Sequence, residues 1–181
     1  GWEVVSTVYF TSDLHLGHKN IANFRQQFSN EEEHYEFMKE AWHTRVRKHD
    51  KIYILGDCAF TLSRLEDFSK WRGTKVLVMG NHCYHAKGIT LLDLNRVFDG
   101  RVYSLYKHKG YWLSHAPIHP EELRGKVNIH GHTHFHIINQ TGYVNVCPEN
   151  TLQGMPVSID EVDSFVKTGS SNVFKYQYKV G

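Results

Sequence analysis

Hydrophobic positions follow two spacings in the first half of the chain, and each spacing predicts a different element. Short apolar runs rich in β-branched and aromatic residues predict three strands, at 4–10, 51–55 and 75–79. A three- and four-residue spacing of apolar side chains predicts a helix of about four to five turns after Asn30, and a second helix at 62–71. Strands that alternate with helices indicate an α/β fold with a parallel sheet.

The second half of the chain predicts more antiparallel pairing. Two apolar runs flank the polar segment 107–110, as the strands of a hairpin do, and they lie at 101–106 and 111–113. Further strands are predicted at 126–129, 136–139 and 143–146. A last helix is predicted at 159–167, before a final strand at 172–179. No repeat or linker divides these elements, so we expect one domain.

Composition and charge exclude some classes of function. The net charge of +2 is only a weak attraction for anions and lacks the clustered basic stripe of a dedicated nucleic-acid binder, so stable binding of duplex DNA is not expected. No apolar run approaches the length of a membrane span, and the three scattered cysteines do not form a disulfide framework. These features predict a cytoplasmic protein without a membrane partner.

Carboxylate, imidazole and amide side chains follow the predicted strands in five short segments. These residues are Asp13 and His15, then Asp57, then Asn81 and His82, then His115, and finally His132 and His134. Because the C-terminal ends of parallel strands open onto one edge of a sheet, side chains far apart in sequence can meet there. Two divalent ions about 3.5 to 4 Å apart need such hard and borderline ligands and a carboxylate that contacts both ions. The sequence therefore predicts a two-metal site, with Asp57 as the bridge.

The short spacing within two of these segments sets a condition on the backbone. Asp13 and His15 can both point toward the edge of the sheet only if the strand has already turned into a loop, which Gly17 permits. The same condition applies to His132 and His134, which follow Gly131. We therefore expect loop conformations at both pairs.

Taken in order, these segments resemble the motif series of the calcineurin-like metallophosphoesterases over residues 4–146. Segments 11–18 and 156–161 are similar to those of small bacterial and phage members of that superfamily. The resemblance implies a β-sandwich of mixed sheets flanked by helices, with a βαβαβ first half and one phosphoesterase domain over residues 1–181. It also implies two divalent metal ions, with manganese expected first and iron, nickel or zinc as alternatives.

The resemblance also implies a role for each candidate residue. One ion would be held by Asp13, His15, Asp57 and His134, and the other by Asp57, Asn81, His115 and His132. His82 would be the catalytic residue that stabilises or protonates the leaving oxygen. Cys83 follows it, where the family usually has an Asp. This departure removes a carboxylate that would orient the His82 imidazole and raise its pKa.

The activity implied by the resemblance is phosphoester hydrolysis, with a hydroxide that bridges the two ions as the nucleophile. A chain of 181 residues leaves an open site, which suits phosphomonoesters, cyclic nucleotides or flexible nucleotide ends better than duplex DNA. The first interpretation is a phosphodiesterase or phosphatase acting on small nucleotide-like or other phosphoesters. His18 and Arg25 are candidate substrate contacts, although the position of Arg25 is also typical of a solvated surface cation.

Other interpretations stay open. One alternative is a nuclease acting on single-stranded ends, and another is a non-catalytic metal-binding scaffold of the same fold, although the unbroken ligand set favours an enzyme. A structural zinc module would favour cysteine ligands and a closed set of four, whereas this set is rich in oxygen donors.

Several aromatic and imidazole side chains near the motifs fit ordinary packing. By strand periodicity, His130 and His136 would face outward between the ligands, and His34 lies among charged residues that predict a surface position. Phe24 and Phe60 could stack on a base, although core packing explains both rings as well.

Overall fold

Nine strands form two sheets in the computed structural model, which describes residues 5–80 and 88–181. The first sheet contains β1 (Val8–Thr11), β2 (Lys51–Ile54), β3 (Thr74–Val78), β4 (Val102–Tyr103) and β9 (Val157–Ser158). Their order is β4-β3-β2-β1-β9, and only β9 runs antiparallel to its neighbour. The second sheet contains, in spatial order, β5 (Tyr106–His108), β6 (Tyr111–Ser114), β7 (Val127–His130) and β8 (Tyr143–Asn145). Both sheets are therefore mixed.

The described part of the chain contains five α-helices. They are α1 (Ile21–Phe24), α2 (Glu31–Arg45), α3 (Leu62–Ser69), α4 (Leu91–Val97) and α5 (Ile159–Thr168). Helix α2 begins as predicted after Asn30, whose side chain accepts a hydrogen bond from the backbone N–H of Glu33 at 2.8 Å. Among the described residues, no helix combines the length and the apolar character that crossing a membrane requires.

Two apolar cores separate the layers. In the first core, Trp42 of α2 and Phe68 of α3 pack with Ile52 and Leu77 from the first sheet, and all four side chains are fully buried. In the second core, side chains from both sheets and from α5 meet, including Phe10, Tyr53, Leu113, Ile129 and Phe165. The two sheets therefore pack against each other, and helices cover the outer face of the first sheet, which is the predicted α/β class with mixed sheets and flanking helices.

The second half departs from prediction in the direction of its strands. A hairpin forms as predicted, but its first strand is Tyr106–His108 rather than 101–106, where Val102–Tyr103 instead joins the first sheet. Strands β6, β7 and β8 are parallel to one another. The long connection between β6 and β7 contains only the short 3-10 turn Pro120–Glu122, so the sequence carries no helical pattern that would announce a parallel crossover. More antiparallel pairing was expected here, and only the β5–β6 pair of this sheet is antiparallel.

Two predicted strands do not form, and the helices α1 and α4 and the strand β9 were not predicted. Residues 136–139 are irregular, and in 172–179 only Phe174 makes an isolated bridge, to Thr151. The alternating aromatic residues of that last segment pack on α5 instead, since Phe174 stacks on Phe165 with ring centroids 4.2 Å apart. Helix α4 was not predicted; Thr90 and Asp93 form a capping box at its start.

Candidate metal centre

The predicted ligands come from the C-terminal ends of parallel strands in both sheets. Asp13 follows β1 and Asp57 follows β2 in the first sheet, while His115 follows β6 in the second. The carbonyl oxygen of Leu55 joins the two sheets here, because it accepts from Ser12 Oγ at 2.6 Å and from His115 Nδ1 at 2.7 Å. The two strand-end clusters consequently share one region of the molecule.

The backbone at these positions is left-handed. Positive φ angles occur at Asp13 (50°), His15 (54°), Asp57 (48°), His132 (67°) and His134 (50°). These five are among only nine non-glycine residues of the described chain with positive φ. Such strain concentrates at functional sites. It also meets the condition set by the sequence, since both closely spaced pairs lie in loops rather than in strands.

Asp13 lies at the centre of one group of donors. Its side chain is fully buried, and Oδ1 lies 3.4 Å from His15 Nε2 and 3.6 Å from His134 Nε2. Its other oxygen, Oδ2, accepts from the backbone N–H of His132 at 2.8 Å and from the Ser12 hydroxyl. Burial alone would raise the pKa of Asp13, but the hydrogen bond from His15 and the nearby imidazoles hold that pKa well below its usual range. The carboxylate is therefore ionised.

Asp57 lies between imidazoles from the two predicted ligand sets. Its Oδ2 is 3.8 Å from His15 Nε2 and 3.6 Å from His115 Nε2. His115 Nε2 in turn lies 3.1 Å from His132 Nδ1. Because Nδ1 of His115 donates its proton to a backbone carbonyl, Nε2 is the ring nitrogen that faces the Asp57 carboxylate. A cation between these atoms could bind both.

The chemistry of the donors fits divalent cations. Ligand atoms of Asp13, Asp57 and His115 all lie within 4.8 Å of one another. Burial lowers the pKa of His15 and of His132, which favours the neutral imidazole that binds metals. The Nδ1 atom of His15 is buried without a hydrogen-bond partner among the described residues. Carboxylate oxygens and imidazole nitrogens in one cluster, buried at Asp13, His15, Asp57 and His115 and exposed at His132, could thus hold metal ions.

Two residues of the centre were missed by the sequence analysis. Glu149 Oε2 accepts from His134 Nδ1 at 2.6 Å, so the carboxylate fixes the orientation of that imidazole. Burial lowers the pKa of His134, whereas the hydrogen bond to Glu149 raises it. The net effect is a raised pKa. Cys147 Sγ lies 3.4 Å from Asp13 Oδ2, and burial raises the pKa of this thiol, which therefore stays protonated and donates. Both residues follow β8, so the strand-end rule that found the other ligands would have identified them.

Arg25 is buried rather than solvated. Its side chain is 3% exposed, and its guanidinium binds Glu149 Oε1 at 3.0 Å and donates to the backbone carbonyls of Asp13 and Leu14. The expectation of a solvated surface position for Arg25 was wrong, because the buried carboxylate of Glu149, far along the chain, pairs with its charge. Its role as a substrate contact stays a prediction.

His34 and His130 are also buried rather than exposed. His34 Nε2 accepts from Arg25 Nη1 at 2.9 Å, and His130 Nδ1 bonds the carbonyl of Gly131 at 2.9 Å. Both expectations of an outward position were wrong, whereas His136 is exposed as expected. His18 lies beside the centre, with its ring 5.7 Å from that of His15, so its role as a substrate contact stays a prediction.

Asn81, His82 and Cys83 lie outside the described residues. Their neighbour Gly80 is described, and a Cβ atom there would come within 2.7 Å of His115 Cδ2. The chain after β3 therefore passes directly beside the centre.

Comparison with known proteins finds two phage proteins and one archaeal protein that are similar to this chain. It is 32% identical to the Gene 66 protein of Mycobacterium phage L5, over 72% of this chain and 78% of the relative. The chain belongs to the Gene 66 protein family. The family member from Mycobacterium phage D29 is 30% identical, over 76% of this chain and 83% of the relative. An uncharacterized protein of Methanocaldococcus jannaschii, MJ1445, is 26% identical over 90% of this chain and 92% of its own.

One solved structure shares the fold of this Gene 66 family member. The protein of unknown function AQ665 from Aquifex aeolicus superposes with a TM-score of 0.67 and 24% sequence identity, covering 88% of this chain and 99% of its own. No family model matches the chain.

Proposed function

We propose that this Gene 66 family member is a dinuclear metal-dependent phosphoester hydrolase of the calcineurin-like type. One observation carries the proposal: six of the seven predicted ligands are described, and their donor atoms come together from strand ends in two sheets. The close contacts between pairs of these residues range from 3.1 Å, between His115 and His132, to 3.8 Å, between His15 and Asp57. A chance clustering of unrelated polar residues would not reproduce the ligand order of the resemblance.

The same residues would hold the two ions as the resemblance assigns them. Asp13, His15 and His134 would hold one, His115 and His132 the other together with Asn81, and Asp57 would contact both. Two bound divalent ions, manganese in our first test, would lower the pKa of a water molecule and neutralise charge on a phosphoryl group. The fully buried Asp13 and the imidazole lone pairs beside it supply the charge and the donors that such ions need.

The protein's own groups prepare this chemistry by fixing the donors. The Leu55 carbonyl holds the Nδ1 proton of His115, and Glu149 holds that of His134, so Nε2 of each ring faces the centre. The leaving oxygen needs a proton, and in this proposal His82 donates it. That assignment rests on the resemblance, because His82 lies outside the described residues.

The first experiment combines metal content with turnover. Metal-stripped protein is titrated with manganese, bound metal is measured by mass spectrometry, and hydrolysis of bis(p-nitrophenyl) phosphate and p-nitrophenyl phosphate is followed. We expect about two ions per chain and metal-dependent turnover. Asp57→Asn should lose at least one ion and nearly all turnover. Asp99→Asn is the matched control, because Asp99 also has a positive φ, of 54°, but lies on the surface.

The outcomes separate the candidate functions. Cleavage of the diester would indicate a phosphodiesterase and cleavage of the monoester alone a phosphatase. Two bound ions without turnover of either substrate would favour the scaffold. Retention of metal by Asp57→Asn would contradict the proposed centre itself.

A further inference from the structure

Three aromatic rings stand beside the candidate ligands and form what we call the aromatic wall: His18, Phe24 and Phe60. The Phe24 ring lies parallel to that of His15 at 5.7 Å and meets that of His134 edge-on at 4.8 Å. The Phe60 ring is 4.8 Å from that of His15, and His18 is 5.4 Å from Phe60. Phe24 and Phe60 therefore contact the imidazole rings of candidate ligands directly.

The aromatic wall is not a closed part of the core. Phe24 is 46% exposed although it contacts two candidate ligands, and neither Phe24 nor Phe60 belongs to the two apolar cores. A surface pocket adjoins the wall, lined by His18 and Phe60 together with Gly17, Lys19, Asn20 and Thr61. Lys19 is exposed there and contributes a cation. A planar ligand could reach the rings from this side.

We propose that the aromatic wall binds the nucleobase of the substrate, so that the hydrolase acts on nucleotide phosphoesters or on single-stranded nucleic-acid ends. This inference rests on the proposed function and narrows its substrate class. When the phosphate of a nucleotide lies at the centre, its sugar and base extend toward the surface. The partly exposed rings of the wall lie where such a base could stack. Aromatic side chains bind bases through their faces without regard to sequence, and Lys19 suits the negative backbone.

A structural role for the same rings makes a different prediction. If the wall only shields the imidazoles of His15 and His134 from water, its loss would affect all substrates equally. A binding role instead affects only substrates that carry a base. The discriminating quantity is therefore a ratio of rates between two substrates that share one leaving group.

The experiment uses thymidine 5′-(p-nitrophenyl phosphate) and methyl p-nitrophenyl phosphate with the manganese-loaded protein. Both are diesters that release p-nitrophenolate, and only the first carries a base. We expect kcat/KM for the nucleotide to exceed that for the methyl ester by roughly 5- to 150-fold, the range that base stacking on aromatic rings gives. Phe24→Leu should remove most of this ratio, while any change at the centre itself cancels from it.

Phe37→Leu is the matched control. Phe37 is similarly exposed, at 39%, but lies on α2 against Phe28. This control should keep the wild-type ratio. A ratio near 1 in the wild type, or one that Phe24→Leu leaves unchanged, would overturn the proposal.

Binding measurements keep the inference testable if neither ester is cleaved. Nuclear magnetic resonance titrations of metal-free and metal-loaded protein compare thymidine 5′-monophosphate with 2-deoxyribose 5-phosphate. Tighter binding of the nucleotide that Phe24→Leu abolishes would support the base subsite even though the hydrolase proposal had failed. Equal affinities for the two ligands would overturn the base subsite.

Discussion

Replacing Glu149 by Gln keeps the shape of the side chain but removes the charge that faces Arg25. The two side chains are 4% and 3% exposed, so water cannot replace the lost carboxylate. The guanidinium keeps its bonds to the Asp13 and Leu14 carbonyls, and it stays buried with a positive charge. At pH 7 the folded carboxyl is ionised: burial opposes this, but the His134 hydrogen bond and Arg25 lower the pKa of Glu149.

The expected loss follows from the cost of an unpaired buried charge. Removing one partner of a buried ion pair costs about 3–5 kcal/mol, and we expect the lower end because Gln still accepts a hydrogen bond. In a domain of this size, a loss of about 3 kcal/mol lowers Tm by about 6–12 °C.

Urea unfolding of the metal-free protein, followed by circular dichroism, measures this loss. The urea concentration at the unfolding midpoint should fall while the m-value stays constant. A constant m-value means that the variant changes the free energy of unfolding and not the compactness of either state. Glu66→Gln is the control, because its partner Arg96 is 54% exposed and such pairs contribute less than about 1 kcal/mol. A loss below about 1 kcal/mol for Glu149→Gln would refute the reasoning that this ion pair fixes the loop after β8.

Two further predictions test other parts of the structure. Burial, and then the charge of Arg25, lowers the pKa of His34 to about 3, whereas an unfolded histidine titrates near 6.5. Stability should therefore fall as the pH drops from about 6.5 toward 3, by up to roughly 1.4 kcal/mol per pH unit. His34→Gln should reduce that slope in urea unfolding at pH 7 to 4, and an unchanged slope would contradict a neutral buried imidazole. A Cβ atom at Gly131 would lie 2.4 Å from Asp13 Oδ2, so Gly131→Ala should cost about 1–3 kcal/mol and lower manganese content. Gly110→Ala meets no atom within 4 Å and should change neither; equal effects of the two variants would contradict the tight packing at Asp13.

The position of the candidate ligands could be predicted from sequence because strand ends carry their own signal. A short apolar run followed by Asp, His or Asn marks the edge of the sheet, and the close pairs at Asp13 and at His132 required loops, which the structure forms with a left-handed backbone. The rule applied to both sheets, although more antiparallel pairing was expected in the second half of the chain. It works because position at the edge depends on where a strand stops, not on which neighbour it pairs with.

The burial of Arg25 and His34 could not be predicted in the same way. Charged residues close together in sequence usually indicate a solvated surface, and nothing in the segment from Arg25 to His34 indicates otherwise. The partner that makes burial tolerable is Glu149, which lies 124 positions beyond Arg25. Only the fold brings the two together, so a local pattern cannot distinguish a buried ion network from an exposed cluster.

The buried ion pair of Arg25 and Glu149 also makes the two proposed metal positions chemically different. His115 donates its Nδ1 proton to a neutral carbonyl, whereas His134 donates to the ionised Glu149. A carboxylate partner raises the basicity of the opposite ring nitrogen more than a carbonyl does. Nε2 of His134 is therefore the stronger donor, and it faces Asp13, the fully buried carboxylate. The more basic of these two imidazoles thus lies on the side that Arg25 and Glu149 hold in place. The ion pair of Glu149 with Arg25 and the basicity of His134 therefore have one structural origin.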